Sequence, residues 1–289
     1  MSQERPANRF RNQARQVPPT KAAGYSAGSY RAQSSGGRSS GSRSMSRGYW
    51  STAKAFMRER PLLQRLYGYF LKLLLFAFLF SVLWVVVLKF VPVWFTPLVV
   101  ARKVEAIGAG EDSKIYKTWR SYDRISKEAA LAVVASEDQN FPTHWGFDLD
   151  EIKDALSEKR KRLRGASTIS QQVAKNVFLW NGRSYIRKAL EAYFTILIEL
   201  IWGKERILAV YLNVAEMGPM TFGVEAASQR YYGHAASTLS RAEAARIAAV
   251  LPSPRRFSIR NPSAYVQRRT SQIMRQMRAL GGQAYIRDL

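Results

Sequence analysis

A long apolar and aromatic segment from residue 67 to residue 93 constrains this chain more than any other feature of its sequence. Its only charged residues are Lys72 and Lys89, whose long side chains can reach the headgroups on either side of a membrane. A segment of this length and composition is sufficient to cross a bilayer. Residues 1–66, which precede it, carry 13 Lys and Arg against two Glu, so the positive-inside rule predicts a cytoplasmic N-terminus and a domain outside.

A cleavable signal peptide and a buried core helix are the alternative interpretations of this segment. The charged region of a signal peptide is normally short, and a small-residue cleavage site follows its apolar run. Here 66 residues come first and VPVWFTPLVV comes after, so we favour an uncleaved anchor. Four apolar residues beyond the anchor either extend the membrane contact into the outer leaflet or merely complete the transmembrane helix: Trp94, Phe95, Leu98 and Val99.

The composition of the first 66 residues predicts a disordered basic tail. They are rich in Ser, Gly, Arg and Gln and hold few aliphatic side chains, so they cannot bury enough apolar surface to fold. The whole chain has 47% apolar residues, which is enough for a sizeable core elsewhere. The net charge of +24 raises nucleic acid as a partner, but its concentration before an anchor favours a role in topology and predicts no nucleic-acid partner. The absence of cysteine excludes disulfides and thiol catalysis.

The remaining pattern predicts four regions and a mainly α fold. They are a cytoplasmic tail (1–66), a transmembrane anchor (67–93), a membrane-proximal connector (94–113) and a domain at 114–289. Apolar residues at spacings of three and four predict helices at 126–136, 184–202, around 207–212, and at 241–251. The buried stripe of the second helix is predicted to be Ile186, Leu190, Phe194, Leu197 and Ile201, with Gly203 ending it. Capping boxes are predicted at Asp148 with Glu151 and at Thr168 with Gln171.

The segment EDQNFPTHWG, residues 137–146, is the first candidate for chemistry. Glu137 and Asp138 lie at the end of a predicted apolar helix, where the macrodipole disfavours charged carboxylates and tends to raise their pKa values. A carboxylate with a raised pKa suits a general base. A solvated acidic turn is the alternative, while His144 is expected to shape the loop by hydrogen bonding.

Two further segments place cations and amides at helical spacing. In GASTISQQVAK, residues 165–175, Gln171 and Lys175 share one face, although ordinary helix capping also explains part of the pattern. Arg183, Arg187 and Glu191 follow at intervals of four, with Lys188 beside them. An intrahelical ion pair between Arg187 and Glu191 is the structural alternative.

Four segments in order, EDQNFPTHWG, GASTISQQ, RKALE and KERILAVYLN, resemble the motifs of glycosyltransferase family 51, the transglycosylase module of penicillin-binding proteins. The resemblance covers roughly residues 101–254. The monofunctional branch is the more similar, because FGVEAASQRYYG and AAVLPSPRRF also match it. It implies a lysozyme-like glycosyltransferase domain that polymerises lipid II at the outer face of a bacterial inner membrane, preceded by one transmembrane helix.

The resemblance also implies roles for single residues. Glu137 would be the catalytic base for the acceptor 4-hydroxyl, and Glu191 the second carboxylate, orienting the cations or a divalent ion. Pyrophosphate of the donor would be held by Lys175, Arg183 and Arg187. Positioning roles near the substrate would fall to Asp138, Ser167, Gln171, Gln172 and Lys188. Transfer from an α-linked donor in one step would invert the linkage to β and release polyprenyl diphosphate.

The implied partners are lipid II, the growing lipid-linked glycan and the membrane, with cell-division proteins or penicillin-binding proteins as candidate visitors. No cofactor is required, and Mg²⁺ or Mn²⁺ would be bound through substrate pyrophosphate, since two histidines and no cysteine predict no protein metal site. Two alternatives stay open: a lysozyme-like lytic transglycosylase that cleaves glycan strands, which has no pyrophosphate to hold, and a non-enzymatic membrane scaffold or nucleic-acid binder. The basic C-terminal segment, residues 265–289, either packs on the domain or lies on the membrane.

Overall fold

Helices make up most of the residues that the computed structural model describes, which are 61–149, 167–182 and 184–289. The mainly α prediction is confirmed, and residues Leu66–Leu289 form one compact unit. The predicted tail lies outside the described residues apart from its last six positions. The helices are α1 (Pro61–Phe90), α2 (Pro97–Gly108), α3 (Lys127–Glu137), α4 (Ile169–Phe178), α5 (Tyr185–Ile201), α6 (Lys204–Val214), α7 (Val224–Tyr232), α8 (Arg241–Val250) and α9 (Ala264–Ala279). Short 3-10 turns cover Tyr122–Arg124, Ala236–Thr238 and Gly282–Ile286.

Helix α1 is the one described helix that is long and apolar enough to cross a membrane. Its 30 residues give it a length of about 45 Å. It begins and ends earlier than the predicted segment 67–93, and its C-terminal end is explained by Pro92, which lacks an amide hydrogen and restricts the residue before it. Side chains are exposed on almost every side up to Phe80, whereas Val85 and Leu88 are buried. The first two thirds of α1 therefore offer an apolar surface all round.

The last three turns of α1 are bonded to the rest of the domain. The Trp202 indole donates to the Val85 carbonyl at 2.8 Å, and Arg206 Nη2 donates to the Leu88 carbonyl at 2.6 Å. Lower on the same helix, the hydroxyls of Ser81 and Tyr193 share a hydrogen bond of 2.7 Å. The last carbonyls of a helix have no hydrogen-bond partner within the helix. The bond from Arg206 gives one of them, that of Leu88, a partner.

The predicted connector, residues 94–113, contains helix α2, which the sequence pattern did not predict. Thr96 caps it, its hydroxyl accepting from the Val99 amide, and Pro97 starts it. Because α1 already ends at Phe90, the apolar residues that follow do not complete this helix. Trp94 and Phe95 are exposed as predicted, but Val99 is buried because α2 turns that side inward. The exposed apolar residues of α2 are instead Val100, Val104 and Ile107.

The core is built around helix α3, in which every residue from Ala129 to Ala135 is buried. Its small side chains let neighbouring helices approach closely, and α8 and α9 both pack on it. Helix α6 is buried along residues 207–214 and packs against α4 on the other side. Helix α9 buries four residues against this core, which settles that the C-terminal segment packs on the domain: Val266, Thr270, Ile273 and Met277.

The buried face of helix α5 differs from the predicted stripe. Ile186 is exposed, and the other four predicted residues are only half-buried. The most buried side chains are Glu191, Thr195, Ile198 and Glu199. Polar residues can occupy this face because each has a partner: the Thr195 hydroxyl donates to the Glu191 carbonyl, and Glu199 accepts from Ser170 at 2.5 Å and from Lys204 at 2.8 Å. Three residues of the predicted stripe, Phe194, Leu197 and Ile201, do pack against the core, but the most buried face of the helix lies beside that stripe.

A small three-stranded sheet packs against helix α7. Its strands are β1 (Tyr116–Lys117), β2 (Glu216–Gly218) and β3 (Thr221–Phe222), in the order β1-β3-β2. Strand β3 pairs in parallel with β1 and antiparallel with β2. Gly223 then leads into α7 with a φ of 85°, and a Cβ on it would lie 2.7 Å from the Asn213 carbonyl oxygen. No residue except glycine fits this position without displacing the backbone.

We expect Gly223→Ala to lower the free energy of unfolding by about 1–3 kcal/mol, because it adds both a strained positive φ and a backbone clash. Gly108→Ala is the matched control, since its φ is not positive and nothing lies within 4 Å of the added methyl group. That control should leave stability unchanged or raise it by up to about 1 kcal/mol. Thermal unfolding of both variants in detergent checks the prediction, and equal stabilities of the two variants would contradict it.

Candidate active site

Glu137 is the last residue of α3 and lies mostly inside the protein. Its side chain is 14% exposed, and its Oε2 accepts a hydrogen bond of 3.0 Å from Gln172 Nε2 on α4. Burial raises the pKa of Glu137 above its usual value, and the Gln172 bond and the charge of Arg269 offset only part of that effect. The predicted direction of the pKa shift is therefore confirmed for Glu137, and removal from water is its largest cause.

Asp138, the next residue, ties two parts of the site together. Its buried carboxylate receives the Ile169 amide of α4 at 2.8 Å and His144 Nε2 at 2.8 Å. His144 Nδ1 accepts from the Gly146 amide, so the proton of the neutral ring lies on Nε2 and points at Asp138. Asp138 thus holds the loop at 138–146 against the start of α4, and His144 has the loop-shaping contacts that the sequence predicted.

The start of α4 contains the predicted capping box. The Thr168 hydroxyl accepts from the Gln171 amide, and the Gln171 side chain accepts from the Thr168 amide at 3.0 Å. Gln171 is consequently buried in the helix cap, and Ser167 is exposed just before it. Gln172 is the amide that reaches the catalytic candidate, and its Oε1 receives the Tyr211 hydroxyl at 3.3 Å. The other predicted capping box, Asp148 with Glu151, cannot be compared, because Glu151 lies outside the described residues.

A cationic pair and a carboxylate lie at the start of α5. Arg187 Nη1 donates to Glu191 Oε2 at 3.0 Å, and Lys188 Nζ donates to Glu191 Oε1 at 2.5 Å. The intrahelical ion pair that the sequence offered as an alternative is therefore present. Glu191 is nevertheless 4% exposed, and a buried carboxylate with two cations fixes their positions more firmly than a surface pair would. Arg183 lies outside the described residues.

Arg187 and Lys175 line the same cleft of about 640 Å³. Gln172 and Tyr211 line it as well, at the end nearest Glu137. The remaining lining residues come from α2, the end of α4 and the segments after α6 and α8: Leu98, Arg102, Glu105, Asn176, Trp180, Asn181, Gly182, Ala215, Glu216, Leu251 and Pro254. Lys188, though bonded to Glu191, is not among them.

The electrostatics of the cleft favour an anion at Lys175. Burial lowers the pKa of Lys175, the charges of Arg187 and Lys188 lower it further, and the charges of Glu191 and Glu137 oppose the change. Cations that crowd one another in this way gain when an anion enters between them. An anion-binding cluster therefore lies in the cleft, and the base candidate Glu137 adjoins it through the hydrogen bond to Gln172. This arrangement suits the transfer of a group from an anionic leaving group to a hydroxyl.

Sequence patterns missed several residues of this site. Arg102 of α2 bonds Glu105 at 2.8 Å and Glu216 at 2.9 Å along one wall. Arg269 approaches Glu137 from α9, more than a hundred positions along the chain. Arg102 lies in no predicted helix, and Arg269 lies in the basic C-terminal segment that the sequence predicts as a helix but that contains none of the motifs. Only the packing brings both residues to the site. Among the described residues, no cluster of three or more His, Asp or Glu could hold a metal ion, and metal dependence stays a prediction.

We expect Arg187→Ala to weaken binding of a polyprenyl diphosphate by about 10- to 100-fold, because one charge-assisted hydrogen bond to phosphate contributes about 1.5–3 kcal/mol. Lys188→Ala is the matched control, because it also removes one positive charge that is bonded to Glu191. Lys188 is adjacent to Arg187 in the chain but does not line the cleft. Its loss should stay below about 5-fold. Calorimetry in detergent measures both affinities, and equal losses would contradict the assignment of Arg187 to the cleft.

Comparison with known proteins gives one consistent family. The model of the transglycosylase family matches residues 103–278, which is more than half of the chain. A biosynthetic peptidoglycan transglycosylase of Chromohalobacter salexigens is 52% identical over 225 residues, covering 76% of this chain and 96% of the relative. Relatives of the same name from Xanthomonas oryzae pv. oryzae and Pseudomonas syringae pv. syringae are 54% and 50% identical, covering 71% and 79% of this chain and 85% and 98% of their own lengths. The chain that carries this cleft, with Lys175 and Arg187 along it and Glu137 bonded to its lining residue Gln172, belongs to the transglycosylase family.

Proposed function

We propose that this protein polymerises lipid II into β-1,4-linked glycan strands, with Glu137 as the base and polyprenyl diphosphate as the leaving group. Membership in the family makes the chain a peptidoglycan glycosyltransferase, and its substrates are accordingly lipid II and the lipid-linked glycan. The observation that carries the residue assignment is that Glu137, a buried carboxylate of raised pKa, is bonded to Gln172 in the lining of a cleft that also holds Lys175 and Arg187.

The acceptor sugar must lose its 4-hydroxyl proton as the new bond forms. Glu137 in its ionised form accepts that proton, and its raised pKa makes it a stronger base than an exposed glutamate. Gln172 holds one carboxylate oxygen in place at 3.0 Å, and the Tyr211 hydroxyl in turn holds Gln172. The base therefore has a fixed orientation before substrate arrives, which lowers the entropic part of the barrier.

The donor loses its diphosphate on the other side of the sugar. A diphosphate departs as an anion, so it needs cations and no proton donor. Lys175 and Arg187 line the cleft where this charge would develop, and Glu191 holds the Arg187 guanidinium at 3.0 Å. We propose the same role for Arg183 on the strength of the family resemblance. Mg²⁺ or Mn²⁺, where used, would bind through the oxygens of the diphosphate.

The two alternative functions are not favoured. A lytic transglycosylase or a lysozyme-like hydrolase acts on a glycan strand and has no diphosphate to hold, whereas this cleft contains Lys175 and Arg187. A scaffold needs no buried base, and the relatives carry the name of a transglycosylase. The basic tail gives no independent reason to propose a nucleic-acid partner.

We propose that α1 anchors the enzyme in the inner membrane in a single pass, with the N-terminus in the cytoplasm and the cleft in the periplasm. The apolar surface of α1 and the basic residues before it support this topology. Trp94 and Phe95 follow the anchor and are exposed, as are Val104 and Ile107 on α2, so this surface would enter the outer leaflet beside the substrate tails. Cell-division proteins and other penicillin-binding proteins stay candidate partners.

We expect Glu137→Gln to abolish polymerisation of labelled lipid II, and we expect the wild-type rate to fall as the pH drops. Only the ionised carboxylate accepts a proton, and the raised pKa of Glu137 places this fall above the usual glutamate value of about 4.3. Glu111→Gln, at an exposed glutamate outside the cleft, should retain the wild-type rate. Glycan strands made by folded Glu137→Gln protein would refute the assignment of the base.

We expect the new glycosidic bonds to be entirely β when the α-linked donor is used, because one displacement with the base on one face and the cations on the other inverts the anomeric carbon. NMR of the purified glycan distinguishes the two anomers by the coupling of the anomeric proton. A covalent glycosyl-enzyme step at Glu137 would instead give α linkages, and their detection would replace the base by a nucleophile.

A further inference from the structure

Arg269 enters the active site from helix α9, a part of the chain that none of the sequence motifs includes. Its Nη2 lies 4.0 Å from Glu137 Oε1 and donates to the Ser136 carbonyl at 3.4 Å. The Arg269 side chain is 23% exposed, so water screens this charge only in part. The guanidinium therefore adjoins both the carboxylate and the backbone of the last turn of α3.

We propose that Arg269 is a positioning residue for Glu137, which keeps the carboxylate ionised and directs its Oε1 towards the acceptor sugar. This inference rests on the proposed role of Glu137 as the base. Arg269 would not touch the reacting atoms, because it acts through the carboxylate and through the Ser136 carbonyl.

The two oxygens of Glu137 have different partners. Oε2 accepts the Gln172 amide at 3.0 Å, so one of its lone pairs is already occupied. Oε1 faces Arg269 at 4.0 Å, a distance at which the charges attract but no hydrogen bond forms. Oε1 is consequently the oxygen with room to accept the proton of the acceptor hydroxyl.

The charges around Glu137 make this cation important. Burial raises the pKa of Glu137, and Asp138, the adjacent carboxylate, raises it further. Arg269 from α9 opposes this change, as does the Gln172 hydrogen bond from α4. Two other titratable groups face the carboxylate, Lys175 from α4 and Tyr211 from α6, and the positive charge of Lys175 is committed to the diphosphate in our proposal. Once the diphosphate neutralises Lys175, Arg269 is, among the described residues that face Glu137, the cation that still favours its ionised form.

The C-terminal segment that carries Arg269 is hydrogen-bonded near both ends of α3. Beyond α9, the Tyr285 hydroxyl donates to the Gln139 carbonyl at 2.7 Å, just after Glu137. The Gln283 amide donates at 2.7 Å to Glu128, in the first turn of α3, which also receives Arg241 of α8 at 2.9 Å. With its buried face set in the core, α9 cannot shift along α3 without breaking these bonds. The position of the guanidinium is thus defined by packing and not by its own contacts alone.

The test is the pH dependence of kcat/KM for polymerisation of lipid II by the full-length protein, measured between about pH 5 and 9. The variants are Arg269→Gln, which removes the charge, and Arg269→Lys, which keeps it. Arg268→Gln is the matched control, because it removes the same charge from the adjacent, exposed position of α9. Thermal unfolding of each variant shows whether it is folded.

We expect the acidic limb of the Arg269→Gln profile to move upward by about one pH unit, since loss of a neighbouring opposite charge raises the pKa of a carboxyl group. The limbs of Arg268→Gln and Arg269→Lys should stay near that of the wild type. A uniform loss of activity in Arg269→Gln with an unmoved limb, or no effect at all, would overturn the proposal. If Arg269→Gln does not fold, Arg269→Lys decides: a wild-type limb supports the proposal, and a limb displaced by about one unit overturns it.

Failure of the underlying assignment looks different. If Glu137 is not the base, the wild-type profile has no acidic limb and Glu137→Gln keeps its activity. If Glu137 is the base and Arg269 is only structural, the limb is present and does not respond to Arg269→Gln.

Discussion

The geometry of the site depends on one buried carboxylate, that of Asp138. It receives the first free amide of α4 and the imidazole of His144, and it follows Glu137 directly in the chain. A buried carboxylate is stable only while its hydrogen bonds are complete, so Asp138 fixes the end of α3, the loop at 138–146 and the start of α4 relative to each other. Gln172 meets Glu137 because that arrangement sets α4 against α3. The orientation of Glu137 therefore depends on the hydrogen bonds of Asp138, the next residue.

Helix α5 applies the same principle on a larger scale. Its inward face buries Glu191 and Glu199, each bonded to cations, and exposes apolar side chains such as Ile196 and Leu200 on the outward face. This helix therefore departs from the usual amphipathic pattern, although Phe194, Leu197 and Ile201 still pack against the core. The buried carboxylates are tolerated because they retain their cationic partners. The cation arrangement of the cleft is thus continuous with the way α5 packs.

Sequence alone predicted a large part of this structure. Strong helical periodicity and caps located α3 to α6 and α8 closely, because Ser184, Gly203 and the Thr168–Gln171 box act locally. The motif residues from Glu137 to Glu191 could be assembled only through the family resemblance. The buried side of α5 and the approach of Arg269 could not be predicted, since both depend on which surfaces meet in three dimensions. The helix in the connector does carry local signals, the Thr96 cap and Pro97, although its apolar pattern is weak. Sequence periodicity reports that a face exists, but not what lies opposite it.

The bonds from Trp202 and Arg206 to the carbonyls of α1 also bear on how the enzyme moves. A domain joined to its membrane helix by a flexible linker would tumble freely. Its cleft would face the plane of the lipids only part of the time. These bonds join the last turns of α1 to the catalytic body, and in the membrane topology proposed above they limit the body to rotation about the membrane normal and diffusion in two dimensions. The search for the next substrate would then be planar and at constant depth, which suits the proposed lipid-linked donor and acceptor.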